Sequence, residues 1–120
     1  MSKKILVVDD EPDMLEIVKL QLQKSGYEVL TAAKKDEGLQ LVSSEKPDLI
    51  LLDIFLKNDD GFEICRQIKS DNPRQKVVIY TAKIDKADAR KALEVGADDL
   101  TLKGDSMSGI LDAIEDKINS

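Results

Sequence analysis

The sequence predicts an α/β domain built on a doubly wound parallel sheet, on three observations. Apolar period and punctuation divide the chain into five repeats of a strand followed by a helix, with no low-complexity segment or linker between them. The strand segments are continuous β-branched or leucine runs such as LILL and VVIY, which suit strands covered on both faces; half-exposed antiparallel strands would alternate. Four of the runs also end in side chains that carry chemistry: ILVV runs into Asp9 and Asp10, LILL into Asp53, VVIY into Thr81 and LTL into Lys103. The carboxyl ends of neighbouring parallel strands meet in one crevice, where open α/β sheets place their ligands.

The strands are expected near Lys4 to Val8, Glu28 to Ala32, Leu49 to Leu52, Val77 to Tyr80 and Asp99 to Leu102. Helices fill the intervals, at about Pro12 to Lys24, Lys35 to Glu45, Phe62 to Ser70, Lys86 to Val95 and Met107 to Asn119. Pro12 suits the first turn of the first helix, which Gly26 ends. That helix is apolar over roughly 220°, from Leu20 through Ile17, Met14, Val18 and Leu22 to Leu15, where a core-facing stripe needs little over 100°. The excess predicts that Leu15 or Leu20, at the edges of the arc, docks a helical partner, unless neighbouring loops cover both.

In the third helix Phe62, Cys65 and Ile68 share helical spacing, so Cys65 reads as a small core residue. The fourth carries Asp85, Lys86, Asp88, Arg90, Lys91 and Glu94, leaving mainly Ala89, Ala92 and Leu93 as anchors. Alanines bury little area, so this element is expected to shift most easily. Gly96 stops it. The last helix is amphipathic, with Met107, Ile110, Leu111, Ile114 and Ile118 on one stripe against Asp112, Glu115, Asp116 and Lys117, and Asp105 or Ser106 is placed to cap it.

At 120 residues, the chain fits a single domain spanning 1–120. Eighteen Lys and Arg against 24 Asp and Glu give a net charge of −6, which disfavours nonspecific attraction to nucleic acid or anionic membrane. MSKK followed by ILVV mimics a signal-peptide opening, but the apolar stretch stops at Asp9, short of the roughly 7 to 15 residues required, so a cytoplasmic location is expected. No apolar run reaches a membrane span, and a single Cys65 makes no internal disulfide. The absence of histidine removes most zinc sites and every histidine-based catalytic arrangement.

Three carboxylates, Asp9, Asp10 and Asp53, brought within a few ångströms repel one another, and the usual remedies are a raised pKa or a bound cation. An oxygen-only set with room for waters suits Mg²⁺ or Mn²⁺, which accept a phosphoryl oxygen. Lys103 adds a second positive charge and Thr81 a hydroxyl donor. Attacking carboxylate, divalent ion, lysine and hydroxyl are together what phosphoryl transfer to an aspartate needs, and Asp53, ending the central run, is the natural nucleophile. Taken singly, Asp10 or Glu11 is more often a helix cap, Asp53 a strand terminus, Thr81 a turn residue and Lys103 a solvated charge. Five residues of complementary type at four strand ends make the joint reading the stronger one.

These residues carry a resemblance. ILVVDDEP, PDLILLDI with DGFEICRQIK, VVIYTA and GADDLTLK together are similar to the receiver domain of two-component response regulators, over essentially the whole chain. The resemblance implies a flavodoxin-like sheet in the order 2-1-3-4-5 with five helices. It implies Asp9 and Asp10 as the acidic metal pair, Asp53 as phosphoacceptor, Thr81 as switch hydroxyl, Lys103 as phosphate contact and the carbonyl of Phe55 as a further Mg²⁺ ligand. The implied donor is a phosphohistidine on a sensor histidine kinase or histidine phosphotransfer protein, and a downstream effector domain or protein reads the state.

Three positions depart from the family pattern. Leu100 stands where an aromatic residue usually turns inward with the threonine. Gly104 stands where a proline usually follows the lysine through a cis bond; a non-proline cis bond costs about 2.5 to 4 kcal/mol, so a trans bond with an altered loop or a strained cis bond is expected. Lys57 replaces a common proline and is expected to loosen the loop after Asp53. Phe55 and Lys83 occupy positions that tune acyl-phosphate hydrolysis, and the bulk of Phe55 predicts a long-lived phosphorylated state. Three functions compete: a phosphorylation switch that catalyses only its own loading and hydrolysis, a receiver-like scaffold working without phosphate, and a Mg²⁺-dependent phosphatase. The last needs a second acid two residues after the nucleophile, where this chain has Phe55. Nucleotide binding is weaker still, since no glycine-rich loop follows the first strand.

Overall fold

Burial forces the sheet into the middle of the molecule: Ile5 to Val8, Leu49 to Leu52 and Val77 to Tyr80 are all sealed from solvent. In the computed structural model, which describes residues 2–103 and 107–119, strands alternate with helices without exception. The order is β1 (Lys4–Val8), α1 (Pro12–Lys24), β2 (Glu28–Ala32), α2 (Lys35–Glu45), β3 (Leu49–Asp53), α3 (Gly61–Asp71), β4 (Lys76–Thr81), α4 (Lys86–Glu94), β5 (Asp99–Leu102) and α5 (Met107–Ile118). All four strand pairs are parallel, as the unbroken apolar runs predicted, and the sheet runs β2-β1-β3-β4-β5, the order the family resemblance implied.

The period of two along each strand divides the core. Ile5, Val7, Leu49, Leu51, Val78 and Tyr80 face α1 and α5, packing on Val18, Leu22, Ile110 and Ile114. Leu6, Val8, Ile50, Leu52, Val77 and Ile79 face the opposite way, toward Phe62, Cys65 and Ile68 of α3 and Ala92 of α4. Cys65 is the small core residue its spacing indicated, its thiol donating to the Val95 carbonyl at 3.7 Å; burial pushes that thiol up to about 11, so it stays protonated at neutral pH.

Punctuation residues act where the sequence places them. Gly26 (φ +94°) and Gly96 (φ +85°) end α1 and α4 in the left-handed region. The α3 helix starts one residue earlier than expected because the Asp60 carboxylate accepts the Phe62 N–H at 2.9 Å, a cap the sequence reading did not assign. Asp85 caps α4 by accepting the Asp88 N–H at 2.8 Å. Glu11 occupies the N-cap position of α1 without a side-chain cap bond. Gly104, Asp105 and Ser106 lie outside the described residues, and with them the bond after Lys103 and the expected cap of α5.

Two packing expectations change. Leu93 is 78% exposed and anchors nothing, since one residue beyond buried Ala92 it is rotated about 100° off the inner face; Val95 is buried in its place. On α1, Leu15 packs into the core beside Met14, while Ile17 (51%) and Leu20 (49%) stay in solvent. The buried stripe is centred on Val18 and Leu22, which places Leu15 inside it and moves the spare apolar surface to Ile17 and Leu20.

Gly61 fixes how closely α3 approaches the end of β3. A Cβ there would sit 2.6 Å from the Asp53 carbonyl oxygen and collide with the Ile54 Cα, both backbone atoms that cannot swing aside. Gly61→Ala should therefore lower stability by about 1–3 kcal/mol, read as a lower urea midpoint at unchanged m-value; an unchanged midpoint would contradict this packing.

Candidate functional site

Four of the five strands place one of the candidate residues at the carboxyl edge of the sheet. Asp9 directly follows β1, Asp53 ends β3, Thr81 ends β4 and Lys103 directly follows β5. Backbone bonds hold these ends level: the Asp9 N–H donates to the Ala32 carbonyl at 3.0 Å, and the Lys103 N–H to the Thr81 carbonyl at 2.8 Å. Asp9, Asp53 and Thr81 are buried, and Asp10 is half-buried.

The carboxylates of Asp9, Asp10 and Asp53 converge, each offering an oxygen within 4.8 Å of the others. The Lys103 ammonium sits among the acids, 2.8 Å from Asp9 Oδ2, 3.0 Å from Asp53 Oδ2 and 3.1 Å from Glu11 Oε1. Each buried acid also takes a backbone donor on its other oxygen: Asp9 Oδ1 accepts the Glu11 N–H at 3.0 Å, and Asp53 Oδ1 accepts the Phe55 N–H at 3.0 Å. These bonds aim Oδ2 of both residues at the lysine.

The charges do not balance. Asp9, Asp10, Asp53 and Glu11 bring four negative charges against the one of Lys103, an excess of three. Burial pushes the Asp53 carboxyl up, the Lys103 and Phe55 hydrogen bonds and the lysine charge pull it down, and the Asp9 charge pushes it up again; the net direction is up. Burial alone would lower Lys103, but its hydrogen bonds to Asp9 and Asp53 and their charges outweigh it and hold the ammonium well above the ordinary lysine range. It is protonated at any physiological pH.

An oxygen-only donor set in negative excess fits a hard divalent cation. The three oxygens, all within 4.8 Å of one another, are close enough together to serve one such ion.

Of the residues singled out by sequence, Asp9, Asp10, Asp53 and Lys103 are brought together. The Thr81 hydroxyl, at the end of the adjacent strand, donates to the Lys83 carbonyl at 3.2 Å. Phe55, two residues past Asp53, is half-exposed. Leu100 is half-buried against the core on the α4 side of the sheet.

Three contacts at the site went unread in the sequence, which took Lys57 only as loosening its loop and Glu11 only as a helix cap. Lys57 donates its backbone N–H to Asp10 Oδ2 at 2.6 Å, a bond that a proline there could not make, so this departure ties the loop to the acidic pair. Glu11 reaches the lysine. Tyr80, wholly buried, donates its hydroxyl to Asp9 Oδ2 at 2.5 Å, and Lys103 lies 4.9 Å from its ring centroid. Tyr80 had a signal: it is the one polar-tipped side chain in an otherwise aliphatic buried run, and a buried tyrosine hydroxyl needs a partner.

Residues 5–115 match the response regulator receiver domain family. The chain belongs to that family. It is a two-component receiver with an acidic pocket able to take Mg²⁺, and receivers are signalling switches rather than classical enzymes. It is 43% identical over 103 residues, 86% of its length, to the alkaline phosphatase synthesis transcriptional regulatory protein PhoP of Bacillus subtilis, and spans 43% of that protein. Among solved structures it is similar to a CheY-like receiver from Methanospirillum hungatei (31% identity, TM-score 0.93, covering 99% of this chain and 95% of that one). A response regulator from Burkholderia pseudomallei, determined with a phosphorylated aspartic acid, a calcium ion and citrate, is 30% identical with a TM-score of 0.88, covering 98% of this chain and 69% of that one. Among the described residues no helix of the receiver is long and apolar enough to cross a membrane.

Proposed function

We propose that this receiver accepts a phosphoryl group onto Asp53 from a histidine kinase or a histidine phosphotransfer protein. The observation that carries the reading is the fixed geometry of Asp53: Oδ1 is occupied by the Phe55 N–H, and Oδ2 faces the crevice with the Lys103 ammonium 3.0 Å away. Oδ2 is then the attacking atom. It forms the new phosphorus–oxygen bond as the phosphorus–nitrogen bond of the phosphohistidine breaks, and the electron pair of that bond stays on the imidazole nitrogen. Lys103 is already placed to follow the transferred group, exchanging its bond to Asp53 for one to a phosphoryl oxygen. The Thr81 hydroxyl needs only to leave the Lys83 carbonyl to donate to another.

Asp9, Asp10, Asp53 and the Phe55 carbonyl are the residues that would hold Mg²⁺ (or Mn²⁺), which when bound offsets the negative excess and the charge of the incoming phosphoryl group. The phosphorylated aspartate of the Burkholderia relative supports this reading. In this proposal residues 1–120 act as one receiver unit in the cytoplasm, catalyse only their own phosphorylation and dephosphorylation, and signal to a downstream effector domain or protein. A surface of net charge −6 gives them no attraction for nucleic acid or membrane.

Intact mass after incubation with acetyl phosphate and Mg²⁺ tests the assignment and separates the switch from a phosphate-independent scaffold. One phosphoryl group should add to the parent and none to Asp53→Asn; an unlabelled parent, or equal labelling of the variant, refutes it. Phe55, two residues past the acceptor and half-exposed, is the side chain this proposal assigns to obstruct in-line water. Phe55→Asn should therefore lose its phosphate faster than the parent in a timed decay, and an equal or longer lifetime would show that the ring does not shield the bond.

A further inference from the structure

Tyr80 is buried among Ile110, Ile114 and Val78, with no route to turn its hydroxyl to water. In the sheet it is paired with Asp53, and its hydroxyl crosses to Asp9 on the far side of β3. One side chain thus lies in register with the proposed acceptor, bonds a proposed metal ligand at 2.5 Å and supports the Lys103 ammonium 4.9 Å from its ring centroid.

Asp9 Oδ2 has two donors, Tyr80 and Lys103, and Oδ1 has the Glu11 N–H. The two donors on Oδ2 differ in permanence. Lys103 is shared among Asp9, Asp53 and Glu11, and it is the group that must move when Asp53 is phosphorylated. The Tyr80 hydroxyl is neutral, fixed by the core, and brings no charge to repel a cation. We propose that Tyr80 is a positioning residue of this receiver: its hydroxyl holds the Asp9 carboxylate in its cation-binding orientation independently of Lys103. The inference rests on the reading of Asp9 as a metal ligand, and its effect runs through Asp9 rather than through Asp53. A hydrogen bond from outside the ligand set that fixes a ligand's orientation is typically worth 10- to 100-fold in metal affinity.

The test is Mg²⁺ titration followed by backbone NMR shifts on the parent, Tyr80→Phe and Tyr27→Phe. The first variant keeps the ring in the core, and the second removes a hydroxyl remote from the site. Tyr80→Phe should weaken Mg²⁺ by about 10-fold or more while Tyr27→Phe matches the parent. Equal affinity in Tyr80→Phe and parent, or equal weakening in both variants, overturns the role of Tyr80 and leaves the metal site standing. A parent that binds no Mg²⁺ overturns the site itself and the inference with it. A second measurement on unaltered protein does not depend on the variant folding: the Tyr80 hydroxyl proton, shielded from exchange, should give a downfield resonance that shifts as Mg²⁺ saturates, and a resonance indifferent to Mg²⁺ contradicts the proposal.

Discussion

The structure turns on one ammonium group. Lys103, with only 8% of its side chain exposed, is the cation that permits Asp9 and Asp53 to be buried at the end of a parallel sheet, and Glu11 reaches in from the surface to the same atom. Removing one partner of a buried ion pair typically costs 3–5 kcal/mol, because the other charge is left in a medium that solvates it poorly. Two buried acids depend on this one lysine, so the constraint is stronger than for an isolated pair. It also leaves the site unfinished: a negative excess of three remains, and that excess is what a divalent ion can offset.

The topology makes the arrangement possible. A parallel sheet in the order β2-β1-β3-β4-β5 sets the ends of β1, β3, β4 and β5 side by side, so residues 44 (Ile5 and Leu49), 27 (Leu49 and Lys76) or 21 (Val78 and Asp99) positions apart in the chain become neighbours by register alone. Alternation then sorts the side chains: Ile79 and Thr81 fall on the α3 and α4 side of β4, Val78 and Tyr80 on the α1 and α5 side. The Thr81 hydroxyl and the tyrosine that grips Asp9 are therefore adjacent in sequence yet on opposite faces. Gly61 closes the same corner from the α3 side, its missing Cβ allowing the helix to rest on the Asp53 backbone.

Much of this was readable from the sequence, for a physical reason. Strands buried on both faces leave unbroken apolar runs, and groups gathered at their ends leave polar residues abutting those runs, so ILVV–Asp9, LILL–Asp53 and LTL–Lys103 announced both the fold and the place where the acids and the lysine meet. What the sequence did not disclose depends on distances between segments. The Lys57 N–H on Asp10 and the Glu11 carboxylate on Lys103 are contacts of backbone or of a flexible surface chain, and residue type carries no mark of either. The α1 arc was correctly read as too wide, but which edge lies against the core depends on where α5 and the sheet sit, and that decided Leu15 in and Ile17 out. Leu93 misled because hydrophobicity was weighed without the rotation of the helix about Ala92 and Val95.

The most direct test of the central claim is equilibrium unfolding of the parent and Lys103→Met, each in magnesium-free buffer and at saturating Mg²⁺. If the ammonium is what holds the acids together, the variant should lose about 3 kcal/mol without Mg²⁺, and Mg²⁺ should stabilise it more than it stabilises the parent, narrowing the gap. Equal stability of the two proteins in magnesium-free buffer, or a gap that Mg²⁺ leaves unchanged, would contradict the account.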